Sequence, residues 1–133
     1  MDTSQMADIT EIEQVLARYA VAMTQHDMDA VVGVFTPDGV YSVFGQDYGM
    51  ADFLALCETA PTGLYATGTP ALRLDGDTGA GEQTVCFVSQ TDYELRIGYY
   101  TDTYRRTPEG WRIATRAMTF LRRSGARDSG RPH

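Results

Sequence analysis

Gly98-Tyr99-Tyr100-Thr101-Asp102-Thr103-Tyr104-Arg105-Arg106-Thr107-Pro108-Glu109-Gly110-Trp111-Arg112-Ile113 reads as two antiparallel strands joined by a Pro-Glu-Gly turn. Asp102 stands in mid-strand among tyrosines, and the chain's single Trp opens the second strand. A carboxylate buried there is costly unless it is paired, hydrogen-bonded or protonated. Alternation along the strand places Tyr100 and Tyr104 on the face of Asp102. On the following strand, Trp111, Ile113, Thr115, Ala117 and Thr119 share one face. Arg112, Ala114, Arg116, Met118 and Phe120 share the other. The first set is smaller beyond its Trp and is expected to face a pocket.

Upstream, Ile9, Ile12, Val15, Leu16, Tyr19, Ala20 and Met23 recur at helical spacing and predict a helix over Asp8–Gln25. Asp8 with Glu11, or Thr10 with Glu13, is positioned to form its capping box. Asp27 is placed to cap a second, short helix through Val31, Val32 and Phe35. Pro37-Asp38-Gly39 is a turn signal. A short strand over Val40–Phe44 and a third helix near Met50–Glu58 follow. From Pro61 onward the texture is that of strands: Leu72–Leu74, Thr84–Val88, Leu95–Tyr104 and Trp111–Leu121. Helices first and an antiparallel meander second define an α+β domain with helices on one face of a curved sheet. A single domain over 1–122 is expected, with the Gly-, Ser-, Arg- and Pro-rich stretch 123–133 as a disordered tail.

The chain has 133 residues, 43% of them hydrophobic, with a formal net charge of −7. That charge argues against binding nucleic acid or an anionic membrane surface. Cys57 and Cys86 lie far apart without a CxxC, which points to reduced thiols rather than a disulfide framework or zinc. Neither a basic start followed by an apolar run nor a stretch of about 18 apolar residues occurs, so a cytoplasmic protein is expected. Asp75-Gly76-Asp77 opens like a calcium loop, but Ala80 and Cys86 occupy the sixth and twelfth positions, and the ligand pattern fails. It is expected to be a hairpin turn. No metal or cofactor is expected. His26 sits at an Asp-rich helix junction and His133 ends the tail, so neither is expected to be catalytic.

Arg18-Tyr19-Ala20-Val21-Ala22-Met23, then His26-Asp27-Met28-Asp29 and Phe35-Thr36-Pro37-Asp38, resembles the opening of the SnoaL-like family. That family belongs to the nuclear-transport-factor-2-like superfamily, with ketosteroid isomerases and scytalone dehydratases as relatives. The family's later pattern, G-x-Y-x-D-x-x-x-R-T-x-x-G-W-x-I, is matched from Gly98 through Ile113. The resemblance spans roughly Ile9 to Arg122. It implies a cone-shaped, cystatin-like α+β barrel with a deep apolar pocket, and a homodimer.

The family's acid/base positions are altered in this chain. Thr24 stands where scytalone-dehydratase-like members have an Asp, and Tyr65 falls near their catalytic His. Thr does not titrate, and a phenol titrates at about 10, so neither can work as an acid/base pair near neutrality. Val43 occupies the position of the ketosteroid isomerase base. Tyr19 and Asp102 match the two hydrogen-bond donors that such isomerases aim at a substrate oxyanion. Alternatively, an ionised Asp102 would serve as the lone base, as in family cyclases.

These matches imply acid/base chemistry by Asp102 and Tyr19 on a hydrophobic carbonyl compound, polyketide- or steroid-like: isomerisation, dehydration or cyclisation. Tyr41, Val43, Phe53, Leu56, Tyr65, Tyr100, Tyr104, Trp111, Thr115 and Ala117 are the candidate lining. An aromatic-rich cavity of this kind suits a planar polycyclic or phenolic ligand. Two other readings stay open. Tyr19 is a core tyrosine and Asp102 a structural acid paired with Arg96, Arg106 or Arg116. The protein is then a non-catalytic ligand-binding or dimerisation module.

Overall fold

The computed structural model describes residues 2–132; Met1 and His133 lie outside the described residues. Helix α1 (Thr3–Gln25) begins five residues earlier than the apolar period alone predicts. Asp2 is its N-cap, accepting from the Gln5 amide at 2.7 Å, and neither expected capping box is used. His26 ends the helix in the left-handed conformation. Asp27 then caps α2 (Met28–Gly33) by accepting from the Ala30 amide, as expected.

Strand β1 (Phe35–Val43) includes the Pro37-Asp38-Gly39 turn signal instead of following it. Its pairing with the last strand jumps from Phe35↔Ile113 to Val40↔Thr115, so the Pro-Asp-Gly stretch is looped out of the ladder. Phe44 and Gly45, both at positive φ, turn the chain into β2 (Gln46–Gly49). Two consecutive positive-φ residues match the twist of a tight hairpin. This element escapes a sequence reading because Phe is an unusual residue in that conformation. Helix α3 (Met50–Thr59) follows and buries Phe53 and Cys57.

The remaining strands are β3 (Gly63–Thr67), β4 (Ala71–Asp75), β5 (Thr78–Ser89), β6 (Leu95–Thr107) and β7 (Gly110–Arg123). The sheet runs β2-β1-β7-β6-β5-β3, with β4 also pairing to β5. Only β1 with β7 is parallel among the described pairings. Asp75-Gly76-Asp77 is the β4–β5 hairpin turn, with Gly76 at positive φ. The result is three helices packed on an open, curved, mostly antiparallel sheet. After β7, Ser124 exchanges hydrogen bonds with the Leu95 backbone, and Asp128 pairs with Arg122.

One irregularity in β7 decides which side chains face inward. Tyr104 pairs with Ile113 but Thr103 with Thr115, so Ala114 is an extra residue in β7, a β-bulge. Trp111 and Ile113 point into the core before the bulge; Arg116, Met118 and Phe120 do so after it. Thr115 and Ala117 are therefore not on the inner face, which corrects the simple alternation predicted for that strand. Thr115 is exposed and bonds Thr103 across the ladder.

Trp111 anchors α1 to β7. Its indole donates to Asp8, and its backbone amide donates to Glu11 at 2.6 Å. Arg106 stacks 4.8 Å from the indole ring and makes two 2.8 Å hydrogen bonds to Asp8. The acids expected to cap the helix instead fasten its first turns to the sheet.

Candidate ligand cavity

A cavity of about 110 Å³ lies between α1, α3 and the inner face of the sheet. Met23 comes from α1, and Phe53, Leu56 and Cys57 from α3. Tyr41 and Val43 come from β1, Tyr65 from β3, Val85 and Phe87 from β5, Tyr100 from β6, and Met118 and Phe120 from β7. Phe44, Ala60 and Arg96 complete it. Aromatic contacts stiffen the wall: Tyr41 stacks on Phe53 with ring centres 4.3 Å apart, and Tyr65 packs on Phe87 at 5.0 Å. The lining combines a mostly apolar surface with a few polar groups, the usual character of a small-molecule site.

Of the lining candidates, Tyr41, Val43, Phe53, Leu56, Tyr65 and Tyr100 surround this cavity. Tyr104, Trp111, Thr115 and Ala117 are not among its lining residues. Trp111 is fully buried behind Asp8 and Arg106, and Tyr104 turns its hydroxyl onto Asp102. Ala117 borders a separate depression beside Gly45 and Thr119. Met118 and Phe120 were missed because they sit on the face assigned outward. The signal was present: apolar residues change parity between Ile113 and Met118, which a regular strand cannot accommodate with both ends buried.

Asp102 points inward and is buried, yet it does not line the cavity. Arg116, directly opposite on β7, donates from Nε to Oδ1 and from Nη2 to Oδ2, both at 2.8 Å. The Tyr104 hydroxyl donates to Oδ2, also at 2.8 Å. Both side chains of the ion pair have 0% relative exposure. Arg116 also donates to Gln83, which in turn donates to the Gly68 carbonyl. The guanidinium carbon lies 3.7 Å from the Tyr100 ring centre and 4.5 Å from that of Tyr19. Such stacking on two rings favours a cation withdrawn from water. Burial opposes the Arg116 charge, but Asp102 more than offsets this and holds the group above its ordinary value.

Tyr100 is the side chain shared by this cluster and the cavity. Burial pushes its phenol up to about 12, with the Arg116 charge and the neighbouring Tyr19 restraining the rise. Burial also drives Tyr41 and Tyr65 above the ordinary phenol range, and Cys57 up to about 11. These groups stay protonated near neutrality and act as donors. Tyr19 is buried against Tyr100 and Phe35 and does not line the cavity. Among the described lining residues there is no carboxylate and no imidazole.

Thr24 and Tyr65, which occupy the acid/base positions implied by the resemblance, are neighbours in space. The Thr24 hydroxyl donates to the Ala20 carbonyl and accepts from the Tyr65 amide at 3.0 Å. It ties α1 to β3.

The SnoaL-like domain family matches residues 4–117, and the chain belongs to that family. An uncharacterized protein of Mycobacterium tuberculosis is 31% identical over 132 residues, covering 90% of this chain and 89% of its own. A nuclear-transport-factor-2-like protein with a cystatin-like fold from Novosphingobium aromaticivorans superposes with TM-score 0.78 at 24% identity. It covers 86% of this chain and 82% of that one. Hexachlorocyclohexane dehydrochlorinase LinA-type3 from Novosphingobium barchaimii superposes with TM-score 0.80 at 15% identity, covering 93% of each chain. At that identity the likeness is one of fold. Among the described residues, no helix is long and apolar enough to cross a membrane.

Proposed function

We propose that this protein binds a compact, mostly apolar small molecule in the cavity between α1, α3 and the sheet, and that Asp102 serves the fold through Arg116. The observation that carries this reading is the occupancy of Asp102. Both its oxygens accept from Arg116, one also accepts from Tyr104, and neither faces the cavity lining. A general base must come within about 3 Å of the proton it removes, directly or through one water. For Asp102 to act on a ligand, the ligand would have to displace a buried, bidentate arginine.

Size limits the buried part to one ring at most. Apolar cavities of about 150 Å³ hold benzene. This one, at about 110 Å³, is smaller, so any substituent points to its open mouth. The phenolic alternative is favoured over the polycyclic or steroid-like one. The phenols of Tyr41, Tyr65 and Tyr100 supply donors for one polar substituent.

A second reading keeps catalysis within the same site. Tyr100 lines the cavity, rests on the Arg116 cation and packs edge-on against Tyr19, so it is placed to donate to an oxygen that gains charge. In this form the reaction is an isomerisation or elimination on a carbonyl compound, with Tyr100 replacing Asp102 at the substrate. We further propose a homodimer through the outer sheet face, where Leu95, Ile97 and Leu121 are exposed. Sedimentation of Ile97→Asp, expected to be monomeric beside a dimeric parent, tests it.

Calorimetric titration with benzamide tests the main reading. The parent protein is expected to bind one equivalent. Leu56→Trp, which adds bulk from a half-buried helix position into the cavity, is expected to lose binding while remaining folded. Equal binding by parent and Leu56→Trp would show that the ring sits elsewhere. Retained turnover of a carbonyl substrate in Asp102→Asn, with loss in Tyr100→Phe, would favour the second reading.

A further inference from the structure

Arg96 is the one charged side chain among the described residues lining the cavity, and it also borders an adjoining polar cleft of about 240 Å³. Arg73, Arg105, Arg106, Arg116 and Arg122 each pair with an acid at 2.8 Å or less. Among the described residues Arg96 makes no such pair; its guanidinium lies 5.6 Å from the Phe87 ring centre.

Two further arginines gather at this end of the cavity. Arg123 is the cross-strand partner of Arg96 and stacks over the cavity-lining rings of Phe44 and Phe120. Its Nε is buried without a hydrogen-bond partner. Arg127 lines the cleft with Arg96. Burial first, then the Arg127 and Arg123 charges, press the Arg96 group below its ordinary value, while Tyr65 and Glu94 act the other way. Asp92 and Glu94 also border the cleft and partly offset its positive charge, Glu94 acting on Arg96 and Asp92 on Arg127. Asp92 accepts from the Glu94 amide, and the Glu94 carboxylate fills the space beside Gly125. In a chain with a net charge of −7, this gathering of three arginines, none in a salt bridge among the described residues and only partly offset by two acids, is the feature left unexplained by a neutral ligand.

We propose that the cavity's ligand is a single-ring carboxylate, its ring among Phe53, Leu56, Phe87 and Met118 and its carboxylate received by Arg96 at the cleft. The proposal rests on the cavity reading given above and names the class of molecule that fills it. A guanidinium offers paired N–H donors in the plane that a carboxylate accepts, and charge-assisted bonds of this kind are about twice as strong as neutral ones. Arg123 and Arg127 add attraction without needing contact. The apolar wall excludes small hydrated anions, so ring and charge are read together.

Calorimetry with benzoate and benzamide, which share a ring but differ in charge, separates the two claims. The parent protein is expected to bind benzoate about tenfold more tightly than benzamide at low salt. The ratio should shrink at high salt. Arg96→Met, which keeps the apolar stem, should bring the ratio to about one. Arg96→Lys should restore part of the preference and guards against a folding artefact. Equal affinity for the two compounds in the parent, or a preference that survives in Arg96→Met, overturns this inference and leaves the cavity reading standing. Failure of the parent to bind either compound overturns both.

Discussion

Asp102 and Arg116 place two opposite charges side by side in the core, where each is tolerable only because of the other. Removing one partner of such a pair typically costs about 3–5 kcal/mol, because the remaining charge is left buried and uncompensated. Asp102→Asn is therefore expected to lower stability by that amount in urea denaturation, and Arg116→Met by a similar amount. A double variant carrying both changes should lose less than the sum, since neither leaves a charge stranded. A change in Asp102→Asn within about 0.5 kcal/mol of the parent would contradict the structural role. By the alternation of β6, Asp102 shares one face with Tyr100 and Tyr104, but which way that face points is open in the sequence. Its partner was one of three arginines the sequence left open, and the choice turned on a bulge that local propensity does not reveal.

At the scale of elements, β7 changes phase at Ala114, and a second register shift follows where Ile97 pairs with Arg122 but Gly98 with Phe120. Gly98 permits the close approach there: a Cβ at that position would overlap the Thr119 carbonyl oxygen and crowd the Met118 methyl. Gly98→Ala is expected to cost about 1–3 kcal/mol through forced backbone shifts. Hydrogen exchange should show the faster opening concentrated in β6 and β7. Uniform protection equal to the parent would mean the strand absorbs the methyl group without strain. The long strands β5, β6 and β7 and helix α1 are visible in the sequence through their apolar patterns, and α2 through its Asp27 cap. The short strands β2 and β3 are not, whereas the equally short β4 is marked by the Asp75-Gly76-Asp77 turn that follows it. Asp8 and Glu11 misled for a related reason: acids near a helix start read as caps, while here they hold Arg106 and Trp111 from across the fold.

For the whole molecule, the pH dependence of stability follows from where its acids are held. Arg106 beside Asp8, Arg105 beside Asp38, Arg73 beside Glu82 and Arg122 beside Asp128 keep these carboxyls below their ordinary range. A carboxyl depressed in the folded state contributes stability that is present above the unfolded value, about 4, and lost as pH falls through the folded one. The Tm is expected to decline below about pH 4, and Asp8→Asn to show a lower Tm at neutral pH with a shallower acid slope. The buried phenols act in the opposite direction. Raised in the folded state, Tyr41, Tyr65 and Tyr100 support the fold below about pH 10 and weaken it above. An acid slope unchanged in Asp8→Asn would remove that residue from the set.

The general architecture was readable from the Gly98–Ile113 hairpin and the helix-one motif. The volume of the cavity and the gathering of Arg96, Arg123 and Arg127 at its mouth depend on long-range packing, which no local motif encodes. The most direct test of the central claim is a methionine-methyl NMR titration with benzamide. Met23 and Met118 line the cavity, whereas Met6 is exposed on α1. Saturable ring-current shifts at Met23 and Met118, with Met6 unmoved, are the predicted result. Shifts at Met6 without movement at Met23 and Met118, or no saturable shift at all, would contradict a ligand cavity at this place.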